Sequence, residues 1–244
     1  MKPDKYRIQQ AESAISEVMG YIIPGDRGQK ELERLTALHG SPGALLESSP
    51  QLLMEEGLSD ENALLLSLIP GLIRHTDHAH WGNHPILDTL CRTSEYMRLK
   101  YMGANVENYH LLALDSSGRL IEYVHLHTGN ENSVPFYLKK VMNAVLSTNA
   151  EALVLTHNHP SCAARPSLAD IECTEKLMRA VSRIGAPLLD HIIMISGHAL
   201  SIRGFGYIKP EKWLSQDEDS YILRHWLDNW DMEDAAAALE SCAR

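Results

Sequence analysis

Apolar residues recur with two different spacings along the chain, and the change of spacing divides it into two parts. In the first part leucines recur at positions 32, 35 and 38, the spacing of one helix face, and Gly40 then ends the helix. A second short helix is expected to begin at residues 41–43. A third is expected to begin at the capping residues 59–62 and to end at Pro70 and Gly71. Residues 1–88 are therefore predicted to form a small helical domain.

The end of this domain is rich in histidine. Residues 75–88 show no clear periodicity and predict an irregular connection, followed by a linking helix over residues 89–104. Imidazole binds zinc, copper and nickel, so the histidines are candidates for a metal site. Only Asp77 and Asp88 accompany them as carboxylates, and an exposed connection is the favoured interpretation. The histidines concerned are His75, His78, His80 and His84.

Strand and helix patterns alternate from residue 105 to residue 206. The predicted strands cover residues 109–114, 120–127, 152–156, 188–195 and 200–203. The predicted helices begin at Pro135 and Ser167 and extend to about residues 145 and 184. This alternation indicates an α/β fold in which helices flank one mixed sheet. Residues 207–244 are predicted to form an acidic tail of two helices.

The charge of the chain argues against nucleic acid as a partner. The formal net charge is −10, and half of it lies in residues 207–244, which contain nine acidic and four basic side chains. Such a chain repels nucleic acid unless a local basic patch overrides its field, and Lys139–Lys140 is the only adjacent basic pair. Nucleic-acid binding is therefore expected to be weak or absent.

The composition is typical of a soluble protein. Hydrophobic residues make up 44% of the 244 residues, and no stretch approaches the roughly 18 apolar residues that a membrane span requires. The polar start lacks the apolar centre of a secretory signal, so we expect a cytoplasmic protein without a membrane partner. No oligomeric state is predicted. The absence of a C-x-x-C pair argues against a closed zinc ribbon, the four cysteines being Cys91, Cys162, Cys173 and Cys242.

The candidate chemistry lies between His157 and Asp170. His157 and His159 stand two positions apart at the end of a predicted strand, so their imidazoles project to the same side and can share one metal ion. Pro160 ends the strand, and Asp170 falls in the first turn of the next helix, where its carboxylate can point back toward the histidines. Two imidazoles and one carboxylate form the ligand set of a catalytic zinc site, which keeps a fourth position for water.

Each half of this pattern also has a simpler interpretation. Ser167 and Asp170 form an S-x-x-D sequence that is typical of a helix capping box, and an H-x-H pair on a strand is a weak signal alone. Their combination is more specific, and it predicts one zinc ion per chain. Further along, Asp190 and His191 interrupt an apolar strand and are interpreted as a buried pair satisfied by hydrogen bonds.

These residues resemble a known signature. The run H-x-H-P-S, followed by Ser167 and Asp170 at their spacing, is similar to the motif of the JAMM (MPN+) metalloproteases. The sequence LLDHII at residues 188–193 resembles their RadC-type branch. The resemblance implies a JAB/MPN domain, with a cytidine-deaminase-like fold, over residues 105–206. It also implies a zinc-dependent hydrolase that cleaves amide or isopeptide bonds in a peptide or protein.

The resemblance further implies a role for particular residues. His157, His159 and Asp170 would hold the zinc ion, and Ser167 would stabilise the oxyanion of a tetrahedral intermediate. The family uses a glutamate at the beginning of its first strand as general base. That place corresponds to Glu107, and Glu122 is the competing candidate.

The chain departs from the family pattern at three places. Cys162 stands where RadC-type proteins have glycine, and as a fourth ligand it would block catalysis. Phe136 and Tyr137 replace an arginine and a glutamate. Residues 55–60 are acidic where the family has a glycine-rich helix-hairpin-helix that contacts DNA.

Two other functions are compatible with parts of this pattern. The first is a non-catalytic interaction protein of the same fold, associated with DNA repair. The second is a nucleobase deaminase, which the sequence disfavours because His159 occupies the position of the required glutamate.

Overall fold

The computed structural model describes two compact units. They comprise residues 1–80 with 102–105, and residues 81–101 with 106–244. The described residues are 17–18, 20–23, 26–39, 45–46, 48–101, 104, 106–129, 134–160, 165–195, 198–209, 212–213 and 220–229, apart from the side chains of 26–27, 29, 74–80 and 134–137. Among them, no helix is both long and apolar enough to span a membrane.

The longest described elements of the first unit are the helices α1 (Asp26–His39), α2 (Pro50–Glu55) and α3 (Asp60–Trp81). Ser49 caps the beginning of α2, because its hydroxyl accepts a hydrogen bond from the Leu52 amide. Leu38, the third residue of the apolar face predicted for α1, is exposed, but Leu32 and Leu35 of that face pack into a buried leucine cluster. Its members include Leu32, Leu35, Leu45, Leu46, Leu53 and Leu66.

Helix α3 does not end at Pro70, so that prediction is wrong. The helix continues to Trp81. Proline removes one main-chain hydrogen bond from a helix interior, but Pro70 is itself buried, and burial of apolar area offsets part of that cost. The predicted irregular connection over residues 75–88 is therefore helical up to residue 81. The side chains of His75, His78 and His80 lie outside the described residues, and His84 Nδ1 lies 3.0 Å from the carbonyl oxygen of Leu120.

A five-stranded mixed sheet forms the centre of the second unit, as predicted. Its strands are β1 (Asn108–Leu114), β2 (Leu120–Thr128), β3 (Ala152–Asn158), β4 (Leu188–Ile195) and β5 (His198–Ser201). The order across the sheet is β2-β1-β3-β4-β5, and only β3 and β4 are parallel neighbours. The fully buried strand β3 is therefore central, as its continuous apolar sequence predicts.

The last strand lies two residues earlier than predicted. Residues 202–206 turn away because Asp190 accepts hydrogen bonds from the Ser201 hydroxyl, at 2.5 Å, and from the Arg203 amide, at 3.1 Å. Asp190 and His191 are fully buried and hydrogen-bonded, as predicted, and burial raises the pKa of Asp190 to about 6.

Helices cover both faces of the sheet, which confirms the predicted α/β architecture. Alternate residues of β1 enter different cores, Leu111 on one face and Leu112 on the other. Helices α5 (Val134–Thr148) and α6 (Leu168–Val181) pack on the Leu111 face, whereas α4 (Leu90–Tyr101) and α7 (Tyr221–Asp228) pack on the Leu112 face. A 3-10 turn and Gly185, with φ of 72°, end α6. The predicted second tail helix lies outside the described residues.

Candidate metal centre

The end of β3 places both histidines on the Leu111 face of the sheet. His157 pairs with Tyr109 of β1 and with Ile193 of β4. The His159 amide donates to the Met194 carbonyl over 2.9 Å, so the main chain stays extended through His159. Because side chains two residues apart on extended chain point the same way, His157 and His159 emerge together.

Asp170 reaches the histidines from the first turn of α6. Its main-chain amide donates to the Ser167 hydroxyl over 3.1 Å, and the Ser167 amide donates to Asp170 Oδ2 over 2.7 Å. These are the two bonds of a capping box, and they fix the direction of the carboxylate at the beginning of the helix.

The three side chains converge on one buried point. His157 Nε2 lies 3.0 Å from His159 Nε2 and 3.3 Å from Asp170 Oδ1, and His159 Nε2 lies 3.6 Å from Asp170 Oδ2. One ligand atom from each residue lies within 4.8 Å of the other two. Their exposed fractions are 0%, 6% and 3%, respectively. The structure therefore brings together the three side chains that the sequence singles out.

Capping and metal binding by Asp170 are compatible. Oδ2 accepts from the Ser167 hydroxyl as well as the Ser167 amide, each over 2.7 Å, and Oδ1 accepts from the Tyr109 hydroxyl over 2.8 Å. The Oδ1 atom therefore keeps one of its two lone pairs for a further partner. Tyr109 also stacks on His157, with ring centroids 4.4 Å apart and planes 11° apart. Sequence reasoning missed Tyr109, because its role depends on the register between β1 and β3.

Behind His157 lies a third histidine, which sequence reasoning did not assign to the centre. His191 Nε2 is 2.7 Å from His157 Nδ1, and His191 Nδ1 is 2.6 Å from the hydroxyl of Thr174, one turn along α6 from Asp170. All three side chains are fully buried. The pattern LLDHII could have signalled this contact, since β4 lies beside β3.

The surroundings favour the forms of these groups that bind metal. Burial lowers the pKa of His157 well below its usual value, and the neighbouring His191 acts in the same direction. Burial lowers the pKa of His191 to about 4. For Asp170, burial acts to raise the pKa, but the adjacent imidazoles of His159 and His157 outweigh it and lower the pKa. At neutral pH the His157 imidazole is therefore neutral and the Asp170 carboxyl is ionised.

Glu107 and Glu122 occupy different ends of the sheet. Glu107 is half-buried just before β1, and burial raises the pKa of its carboxyl, with His159 opposing and Asp170 adding to the shift. Its carboxyl is therefore within electrostatic range of the centre. Glu122 is exposed on β2 opposite Ala113, four residues along β1 from Tyr109, or roughly 13 Å.

The remaining residues that the sequence suggests for the site either lie away from the centre or fall outside the described residues. Cys162 falls outside the described residues, as do the side chains of Phe136 and Tyr137. His125 and His127 form another H-x-H pair, on β2, where His125 is exposed and its Nε2 lies 2.9 Å from the Thr128 hydroxyl.

Comparison with known proteins gives consistent matches over most of the chain. The family model of a RadC-like JAB domain matches residues 87–207, which include α4 as well as the sheet. A UPF0758 protein of Idiomarina loihiensis is 31% identical over 216 residues, covering 84% of this chain and 94% of that protein. A UPF0758 protein of Leptothrix cholodnii is 33% identical over 162 residues, covering 66% of this chain and 73% of that protein. A third UPF0758 protein, from Marinomonas, is 29% identical over 219 residues, covering 85% of this chain and 96% of that protein.

Proposed function

The chain belongs to the family of RadC-like JAB domains, and from this premise we propose that it is a zinc-dependent hydrolase of amide or isopeptide bonds. The convergence of His157, His159 and Asp170 carries the proposal. Two nitrogen donors and one oxygen donor suit zinc, and three protein ligands are the number found in catalytic sites. When bound, zinc supplies Lewis-acid chemistry and makes a water molecule nucleophilic near neutral pH.

Glu107 is the proposed proton carrier. Glu107 precedes β1, and its carboxyl feels the charges of His159 and Asp170. Its raised pKa brings the group closer to the neutral range in which a side chain both accepts and returns a proton. In amide cleavage, the proton taken from the attacking water is the one that the departing amine requires. Glu107 is therefore proposed to take up that proton and later to deliver it.

Ser167 is proposed to stabilise the oxyanion of the substrate. Its hydroxyl proton is donated to Asp170 Oδ2, but the Ser167 amide holds the same oxygen independently. Rotation of the hydroxyl toward the substrate therefore leaves the carboxylate anchored. Loss of one such donor typically costs about 3 kcal/mol of transition-state stabilisation.

The substrate class is proposed to be a peptide or protein, and binding to nucleic acid is proposed to be weak or absent. This part rests on the resemblance to the JAMM metalloproteases and on the net charge of −10.

A panel of peptide and isopeptide-linked reporters tests the activity. Cleavage should disappear with a chelator and return with added zinc. Glu107→Gln keeps size and shape but removes the proton acceptor, so zinc content should stay near wild type while turnover falls by roughly 10² to 10⁴. Asp170→Asn should lose zinc and activity together.

Glu122→Gln is the matched control, because Glu122 is exposed and distant from the centre. It should leave turnover unchanged. Chelator-insensitive cleavage, or a Glu107→Gln protein as active as wild type, would contradict the mechanism. A chain that binds zinc but cleaves no reporter would favour the interaction protein.

A further inference from the structure

A chain of buried hydrogen bonds runs from His157 back to Asp170. It passes from His157 Nδ1 to His191 Nε2 over 2.7 Å, and from His191 Nδ1 to the Thr174 hydroxyl over 2.6 Å. The Thr174 hydroxyl then donates to the main-chain carbonyl of Asp170 over 2.6 Å. Asp170 therefore lies at both ends of this series of hydrogen bonds. Its main-chain carbonyl accepts the last bond, and its carboxylate faces His157 Nε2 at 3.3 Å.

The Asp170 carbonyl, at the end of this series of hydrogen bonds, determines which atom is the donor in each of them. A main-chain carbonyl only accepts, so the single proton of the Thr174 hydroxyl points to Asp170. The hydroxyl oxygen must then accept from His191 Nδ1–H. A neutral imidazole has one donor and one acceptor, and full burial of both rings favours the neutral form.

The proton position on His191 determines the proton position on His157. With its proton on Nδ1, His191 offers a lone pair at Nε2, and the nitrogen facing it, His157 Nδ1, must carry a proton. His157 Nε2 is then left with a lone pair that faces His159 and Asp170. That is the tautomer in which Nε2 can bind a metal ion.

We infer that His191 and Thr174 are positioning residues that hold His157 in the Nδ1–H tautomer and thereby direct its Nε2 lone pair to the metal. The inference rests on the proposed function in assigning His157 as a ligand. The three groups come from different elements, His157 from β3, His191 from β4 and Thr174 from α6. The pairing of β3 with β4 and the packing of α6 therefore keep the lone pair aimed at the centre.

The tautomer can be read directly on the full-length chain without metal. Two-bond correlations between ring protons and ¹⁵N distinguish a protonated Nδ1 from a protonated Nε2. Wild-type His157 should carry its proton on Nδ1. In Thr174→Val, His191 loses the acceptor for its Nδ1–H, so the His191 proton should move to Nε2. His191 Nε2 then donates to His157 Nδ1, so the His157 proton should move from Nδ1 to Nε2.

Zinc affinity provides the second measurement, by competition with a chromophoric chelator. Thr174→Val should raise the zinc dissociation constant by about 10- to 100-fold, the usual effect of losing a group that orients a ligand. Thr174→Ser keeps the hydroxyl and should restore most of the affinity. A purely structural bridge would lower stability without changing the tautomer.

Thr156→Val is the matched control. Thr156 is equally buried, and its hydroxyl lies 2.7 Å from the Tyr101 hydroxyl on the opposite face of the sheet. The substitution removes the same group from the same environment, but it should leave the His157 tautomer and zinc affinity unchanged.

The outcomes separate the two proposals. A wild-type His157 protonated on Nε2 overturns the positioning role, even if Thr174→Val does not fold. Unchanged zinc affinity in a folded Thr174→Val protein overturns it as well, and leaves the zinc site intact. A wild-type chain that binds no zinc overturns the proposed function itself.

Discussion

Tyr109 holds two of the three candidate ligands at once. Its hydroxyl donates to Asp170 Oδ1, and its ring stacks on His157. Both contacts follow from one register, because Tyr109 lies directly opposite His157 in the sheet. The geometry of the centre therefore depends on neighbouring side chains that are not themselves ligands, as is usual for metal sites.

Tyr109→Phe separates the two contacts. The ring stack stays, but the donor to Asp170 is lost, so the zinc dissociation constant should rise by about tenfold or more. Tyr123→Phe is the control, because Tyr123 stacks on His110, ring centroids 4.7 Å apart, on the other face of the sheet. Equal zinc affinity in Tyr109→Phe and wild type, measured by chelator competition, would remove Tyr109 from this role.

The sequence predicts the ligand residues more fully than it predicts their supports. H-x-H and S-x-x-D are local patterns whose spacing determines where side chains point, so His157, His159 and Asp170 are accessible to sequence reasoning. Tyr109 and His191 reach the centre only through the pairing of β1 and β4 with β3. Strand pairing is not encoded within any short segment.

At the scale of elements, local signals fail where packing outweighs them. Helix α3 passes through Pro70, which is buried, although proline is a strong stop signal in sequence. Strand β5 ends at Ser201, because Asp190 on the neighbouring strand binds Ser201 and Arg203. Both errors arise from tertiary contacts, whereas the central strand β3 is predicted well because its apolar run is itself the signal.

The turn between β1 and β2 offers a sharp test of element packing. Gly118 has φ of 77°, and a Cβ there would lie 2.5 Å from Asp88 Cβ and 2.8 Å from Asp88 Cα. Gly118→Ala should therefore lower the free energy of unfolding by more than the roughly 1–2 kcal/mol that left-handed backbone alone costs an alanine.

Gly185→Ala provides the matched comparison for this prediction. Gly185 has φ of 72°, but a Cβ there meets no atom within 4 Å. Gly185→Ala should therefore lower the free energy of unfolding, measured in denaturant, only by the cost of the left-handed backbone. Equal destabilisation by the two substitutions would mean that the turn does not pack closely against Asp88.

At the scale of the whole molecule, the acidic charge limits the partners. The net charge of −10 and the acidic residues 207–244 oppose binding to a polyanion. Duplex DNA should bind no better than weakly and without sequence preference at physiological salt, with a dissociation constant of about 10⁻⁴ M or above. Titration of labelled duplex at two salt concentrations measures this, and submicromolar, salt-sensitive binding would support a role in DNA repair instead.

The zinc content of the chain, purified without a histidine tag, tests the central claim most directly. Elemental analysis after dialysis should give about one zinc ion per wild-type chain. His159→Ala and Asp170→Asn should lose most of it, whereas His125→Ala should retain it because His125 is exposed on β2, with its imidazole hydrogen-bonded to Thr128. Full zinc occupancy in His159→Ala, or none in the wild-type chain, would contradict the account.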